Sequence, residues 1–114
     1  MGNLSEHFSR AEFACKDGCG FDTVDAELLE LLEHVREEFG PVTITSGCRC
    51  EIHNTIVGAS INSQHLRGRA ADFKTEANPR DVYHWLSTNF PNTLGLGRYD
   101  TFTHVDTRNG RARW

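Results

Sequence analysis

Residues 63–72 read Ser63-Gln64-His65-Leu66-Arg67-Gly68-Arg69-Ala70-Ala71-Asp72. A histidine and an aspartate stand seven positions apart, with one glycine and two alanines between them. Imidazole nitrogen and carboxylate oxygen are both good zinc ligands. Gly68 allows a sharp backbone turn, and a strand following it carries Asp72 back towards His65. Ala70 and Ala71 are small, so neighbouring backbone can come close. The stretch therefore asks for a fold in which a turn and a strand bring two ligands together and a third arrives from elsewhere. His104, in Phe102-Thr103-His104-Val105-Asp106, is the best candidate for that third ligand. Two histidines, one carboxylate and a water make the coordination of a hydrolytic zinc site. A lone His/Asp pair is more often a surface histidine and a strand-end acid.

The rest of the chain supplies a scaffold of matching size. Leu4 to Phe13 reads as a short N-terminal segment, with a capping box at Ser9-Arg10-Ala11-Glu12 and with Phe8 and Phe13 packing it down. Cys15 to Gly20 reads as a loop. Asp25 to Phe39 is the clearest helix, because Leu28, Leu32, Val35 and Phe39 recur at helical spacing. Its many glutamates form a solvated face, and Gly40-Pro41 stops it. Val42 to Thr45 alternates and is rich in branched residues, so a strand is expected. Glu51 to Val57 reads as a short helix carrying His53 and Asn54, and residues 69–74 as a second strand carrying Asp72. Asn78-Pro79 opens another helix, Asn78 as N-cap and Pro79 in the first turn. Val82, Trp85, Leu86 and Phe90 face its core side and His84 faces solvent. Leu94 to Tyr99 and Thr101 to Asp106 read as two strands joined near Asp100. Side chains alternate along a strand, so His104 and Asp106 share a face. The tail from Arg108 to Trp114 is expected to return along the sheet, with Trp114 covering an apolar edge. The sum is an α+β fold: a small antiparallel sheet of about four strands with helices packed on one side.

The chain has 114 residues, 38% of them hydrophobic and 25% charged, which is enough for one domain with one core, spanning 1–114. A net charge of -4 and the lack of any basic run argue against nucleic-acid binding. No apolar window is long enough to insert in a membrane, and Met1 to His7 holds no signal-peptide core. Synthesis in the cytoplasm without a signal peptide, and a monomer, are expected. The cysteines, Cys15, Cys19, Cys48 and Cys50, follow no standard zinc-finger spacing. Free thiols, disulfides and a structural metal site all remain open for them. Arg49 sits at a strand exit, where its planar guanidinium can grip a carboxylate in bidentate fashion. The alternative for Arg49 is a structural ion pair.

The decapeptide resembles the Ser-x-His-x-x-Gly-x-Ala-x-Asp signature of the zinc D-Ala-D-Ala metallopeptidases, in the group that also holds lysostaphin and sonic hedgehog. All five fixed positions are present, as Ser63, His65, Gly68, Ala70 and Asp72. Thr45-Ser46-Gly47-Cys48-Arg49-Cys50-Glu51-Ile52-His53-Asn54 is similar to the family's Ser-Gly-x-Arg-x-x-x-His-Asn stretch, and His104-Val105-Asp106 to its closing His-x-Asp. The resemblance runs from about residue 5 onward.

It implies a hedgehog-like zinc peptidase domain acting on stem peptides of the bacterial cell wall, as a carboxypeptidase or as a murein endopeptidase of the phage endolysin type. His65, Asp72 and His104 would hold the zinc, Arg49 would bind a substrate carboxylate, and Ser63 and Gln64 would hydrogen-bond substrate or buttress their loop. One position departs from the better-known branches, which place an acid three residues before the last histidine; here it is Thr101. Asp106 and Asp100 are the remaining candidates for the general base, Asp106 preferred, with orientation of His104 as its alternative role. His53 is a further polar group for the site. Two other functions compete: a non-catalytic zinc-containing binding module of the same fold, and a structural protein in which only the cysteines matter.

Overall fold

The computed structural model describes residues 5–14, 24–47, 69–108 and 110–114. The expected helix at 51–57, the Cys15 to Gly20 loop, all four cysteines, Arg49, His53, Ser63, Gln64 and His65 lie outside them.

The N-terminal segment closes into a 3-10 turn at Arg10–Glu12, where the Ser9 backbone N–H donates to Glu12 Oε2 at 2.6 Å. Phe8 and Phe13 flank the turn and are both buried, their rings 6.0 Å apart. Helix α1, Ala26–Phe39, starts under an Asp25 cap whose carboxylate accepts from the Leu28 N–H. Leu28, Leu31, Leu32 and Val35 are its buried face, while Phe39 is half-buried and sits edge-on to Trp85. Gly40 ends it at φ +82°, a conformation that costs glycine nothing.

Glu33 ties the N-terminal segment to α1. It accepts from Ser5 Oγ at 2.5 Å and from the His7 N–H at 2.8 Å, and faces His7 Nδ1 at 2.6 Å. Burial pushes the Glu33 carboxyl up, but the Ser5 and His7 bonds and the His7 charge outweigh it and hold it below its ordinary value. A depressed folded-state pKa stabilises above the unfolded value and stops doing so as pH falls through the folded value. Glu33→Gln should therefore lower the melting temperature at pH 6. The gap from the parent should close as pH falls through the depressed Glu33 pKa, below which both side chains are neutral. Melting curves across that range check this; a gap that persists at about pH 2 would contradict it.

Five strands form one sheet: β1 Thr43–Ser46, β2 Ala70–Lys74, β3 Leu94–Arg98, β4 Thr103–Asp106 and β5 Arg111–Arg113. Their order is β1-β2-β4-β3-β5, antiparallel except for β3 against β5. Helix α2, Pro79–Asn89, precedes β3, with Asn78 accepting from the Arg80 N–H. Phe73, Leu96 and Val105 on the sheet meet Val82 and Leu86 of α2 and the leucines of α1 in one core, so both described α-helices cover the same side.

The sheet has one strand more than expected, and its last pairing is parallel. The tail is held at the edge by polar contacts. Arg113 donates to the carbonyls of Phe90 and Leu94, at 2.9 and 2.8 Å, and to Ser87 Oγ at 3.3 Å. These bonds also pin the α2–β3 turn, where Leu94 takes φ +69°, unusual for a residue with a side chain.

Candidate metal centre

Strand register alone assembles the centre. β2 pairs with β4 so that Asp72 stands opposite His104 and Ala70 opposite Asp106. On the other side of β4, Gly97 stands opposite His104 and Gly95 opposite Asp106. All six side-chain positions fall on the sheet face turned away from the helices, because Phe73, Leu96 and Val105 point into the core.

The His104 imidazole lies between two carboxylates. Nδ1 is 2.8 Å from Asp72 Oδ1, and Nε2 is 2.7 Å from Asp106 Oδ2. The two sides differ: the Asp72 side chain is 15% exposed and that of Asp106 is 0%. Asp106 is held from several directions. Its Oδ1 accepts from Arg108 Nε at 2.7 Å and from the backbone N–H groups of Gly95 and Arg108, both at 3.2 Å. Its Oδ2 accepts from Arg108 Nη2 at 2.8 Å. Burial pushes the Asp106 carboxyl up, yet Arg108 and His104 hold it well below the usual carboxylate range. Burial pushes the His104 imidazole down, but its bonds to Asp106 and Asp72 and their charges raise it above its ordinary value.

A ring that donates from both nitrogens is an imidazolium. A cation ligated at Nδ1 would replace one of those protons, while Nε2–H stays on Asp106. That is the histidine–carboxylate arrangement that fixes tautomer and ring direction in metal sites.

The glycines at 95 and 97 make room on this face. A Cβ at Gly95 would run into both Asp106 carboxylate oxygens. One at Gly97 would lie 2.6 Å from Nε1 of Trp114. The Trp114 indole packs on His104 with ring centroids 4.9 Å apart, takes the Arg108 guanidinium at 5.2 Å from a ring centroid, and donates from Nε1 to Tyr99 Oη at 2.9 Å. Trp114 thus covers the polar centre, where an apolar edge had been expected for it. The reason is its register: it follows β5 directly, in line with Ala112 and on the Gly95–Gly97 side. Arg108, Gly95, Gly97 and Trp114 were not read as site residues from sequence. The alternation Leu94-Gly95-Leu96-Gly97 was the available signal.

The other end of β4 is tied down by Thr107, whose backbone N–H donates to the Arg69 carbonyl at 3.0 Å and whose hydroxyl donates to Asp25 Oδ2 at 2.9 Å. Arg69 Nη2 returns a bond to the Thr107 carbonyl. A cavity of about 460 Å³ opens nearby between α1 and Leu94; neither His104 nor either carboxylate of the centre lines it.

Of the residues named from sequence, Asp72, His104 and Asp106 come together. Asp100 and Thr101 are exposed in the turn between β3 and β4. Among the described residues no three His, Cys, Asp or Glu side chains form a complete metal cage. Asp72 and His104 Nδ1 offer two ligands, and the third named from sequence, His65, is outside the described residues.

No curated protein matches the chain. A family described as Peptidase M15 matches it over residues 6–106, a span that takes in Asp72, His104 and Asp106. The chain belongs to the Peptidase M15 family and is a metallopeptidase.

Proposed function

We propose that the protein is a zinc-dependent peptidase that hydrolyses peptide bonds in the stem peptides of bacterial cell-wall peptidoglycan, working as a monomer at the wall. The observation that carries this reading is the pairing of Asp72 Oδ1 with His104 Nδ1 on the more exposed side of the imidazole, with Nε2 locked from behind by Asp106. His65, Asp72 and His104 would hold the metal. Bound there, zinc would bring the pKa of its water down to about 7 and would polarise the scissile carbonyl.

The chain's own residues do the rest. Asp106 keeps the Nε2 proton on His104 and so holds Nδ1 as a bare lone pair towards the metal. With both oxygens engaged and no exposure, Asp106 acts in this scheme as a positioning residue. With zinc bound, the proton of its water would go to a carboxylate other than Asp106; Asp100, the other acid named from sequence, is exposed in the β3–β4 turn. Arg49 grips a stem-peptide carboxylate, and Ser63 and Gln64 hydrogen-bond the adjoining peptide.

A second reading, a zinc-containing binding module without turnover, draws on exposed Thr101 and on the sequestered Asp106. One experiment separates them: zinc-loaded protein is incubated with purified muropeptides, and new amine and carboxyl ends are identified by mass spectrometry. Cleavage should occur, stop with chelator and return with zinc. His104→Ala should lower turnover at least about 10²-fold, the scale of losing a metal-orienting group or more. Full zinc occupancy with no cleaved product would favour the binding module. Cleavage indifferent to chelator would sink both readings.

A further inference from the structure

Among the described residues two large hydrophobic side chains stand out as exposed, Trp114 at 46% and Tyr99 at 40%, and they touch each other. Both lie beside the candidate metal centre. The indole is fixed on three sides: Gly97 beneath it, Arg108 stacked on it and Tyr99 Oη holding its N–H. Tyr99 is itself stacked on Phe102, with centroids 4.3 Å apart and planes 9° from parallel. Leaving a large aromatic surface in water costs hydrophobic free energy, and this fold spends a parallel edge strand, an arginine and a glycine to hold one there.

We propose that Trp114 and Tyr99 form a rigid aromatic shelf that receives the aliphatic side chain of the substrate residue next to the scissile bond. The inference rests on the peptidase reading. Its geometry follows from reach: the indole packs at 4.9 Å on the imidazole whose Nδ1 side faces Asp72. An extended peptide advances about 3.3–3.6 Å per residue, so a peptide running from the Asp72 side across the imidazole brings the side chain of a residue one or two positions along within reach of the indole. The preferred group is a methyl or longer alkyl chain, which an apolar ring binds by excluding water. Among the described residues the cation on this face is Arg108, which already bonds Asp106 through Nε and Nη2, so a carboxylate over the indole would lose hydration for little return. Trp114 is a substrate-positioning residue in this account, with no part in moving protons.

The test uses the full zinc-loaded chain and synthetic stem peptides differing only at the residue next to the cut: alanine, glycine or aspartate. Trp114→Ala should raise KM for the alanine peptide about tenfold, with kcat within about twofold, the scale of losing one aromatic anchor. Trp114→Phe should recover most of the loss. The parent's preference for alanine over glycine should disappear in Trp114→Ala. An unchanged KM, or a fall in kcat alone, would overturn the shelf.

A second readout needs no turnover. Trp85→Phe leaves Trp114 as the sole tryptophan of the chain. Its emission should shift to the blue when a non-cleavable alanine peptide binds. A shift without any cleavage by the parent would keep the shelf and remove the peptidase reading. Cleavage of the peptide with no shift would do the reverse.

Discussion

Asp106→Ala should cost about 3–5 kcal/mol of folding stability and about 10–100-fold in zinc affinity. The carboxylate is the shared partner of His104 and Arg108, and it is the most buried group in the centre. Removing it leaves an arginine charge without its counter-ion and an imidazole N–H without an acceptor. Arg108 keeps 31% side-chain exposure, so water repairs part of the loss and the lower end of the stability range is expected. The metal term has another origin: with Nε2 unheld, the ring can turn or change tautomer, and Nδ1 is no longer aimed at the metal side. Asp106→Asn separates the two contributions. It keeps the shape and one acceptor, so it should fold nearer to the parent yet still bind zinc more weakly. Urea unfolding and zinc titration read the two quantities. Unchanged values for both in Asp106→Ala would show that the carboxylate orients nothing.

Gly95→Ala should cost about 1–3 kcal/mol and carry a zinc defect resembling that of the Asp106 variants. A methyl group at 95 lands on both oxygens of Asp106 and close to Arg108 Nε. A long surface side chain would swing aside; Asp106 is short, buried and bonded on both oxygens. It can yield only by leaving His104. Gly97→Ala is the matched comparison two residues along the same strand. Its methyl meets Trp114 and Tyr99, which belong to the aromatic shelf. It should therefore weaken substrate binding and leave zinc affinity close to the parent's. Zinc titration and KM measurement on the pair check this. Equal zinc defects in both would mean that the two glycines serve strand packing alone.

Local patterns fixed in advance what local physics controls. The 3.6-residue recurrence of Leu28, Leu32 and Val35 with Asp25 and Gly40 at its ends marked α1, and Asn78-Pro79 marked α2. Strand alternation put His104 and Asp106 on one face, as observed. It could not say which nitrogen meets which carboxylate, since that depends on β2 lying beside β4 across more than thirty residues of chain. Nor could it weigh base against orienting group for Asp106, because a partner that bears on that choice, Arg108, is two residues on in a segment without apolar periodicity. The tail was expected along the sheet and lies there, but its parallel pairing with β3 was not legible. Arg111-Ala112-Arg113 has no strand-like alternation of apolar residues, and it is held by arginine bonds to the α2–β3 turn. Glycine inside a strand often marks a close approach, and here the register sets a carboxylate across Gly95 and an indole across Gly97.

The central claim is that one divalent ion sits on the Asp72 side of the His104 imidazole. Anomalous diffraction at the zinc edge from crystals of the zinc-loaded chain tests it most directly. The expected result is one metal ligated by His65, Asp72 and Nδ1 of His104, with Nε2 still on Asp106. A metal bound instead at Nε2 or by the cysteines, or a His65 side chain far from His104 with no metal between them, would contradict the account.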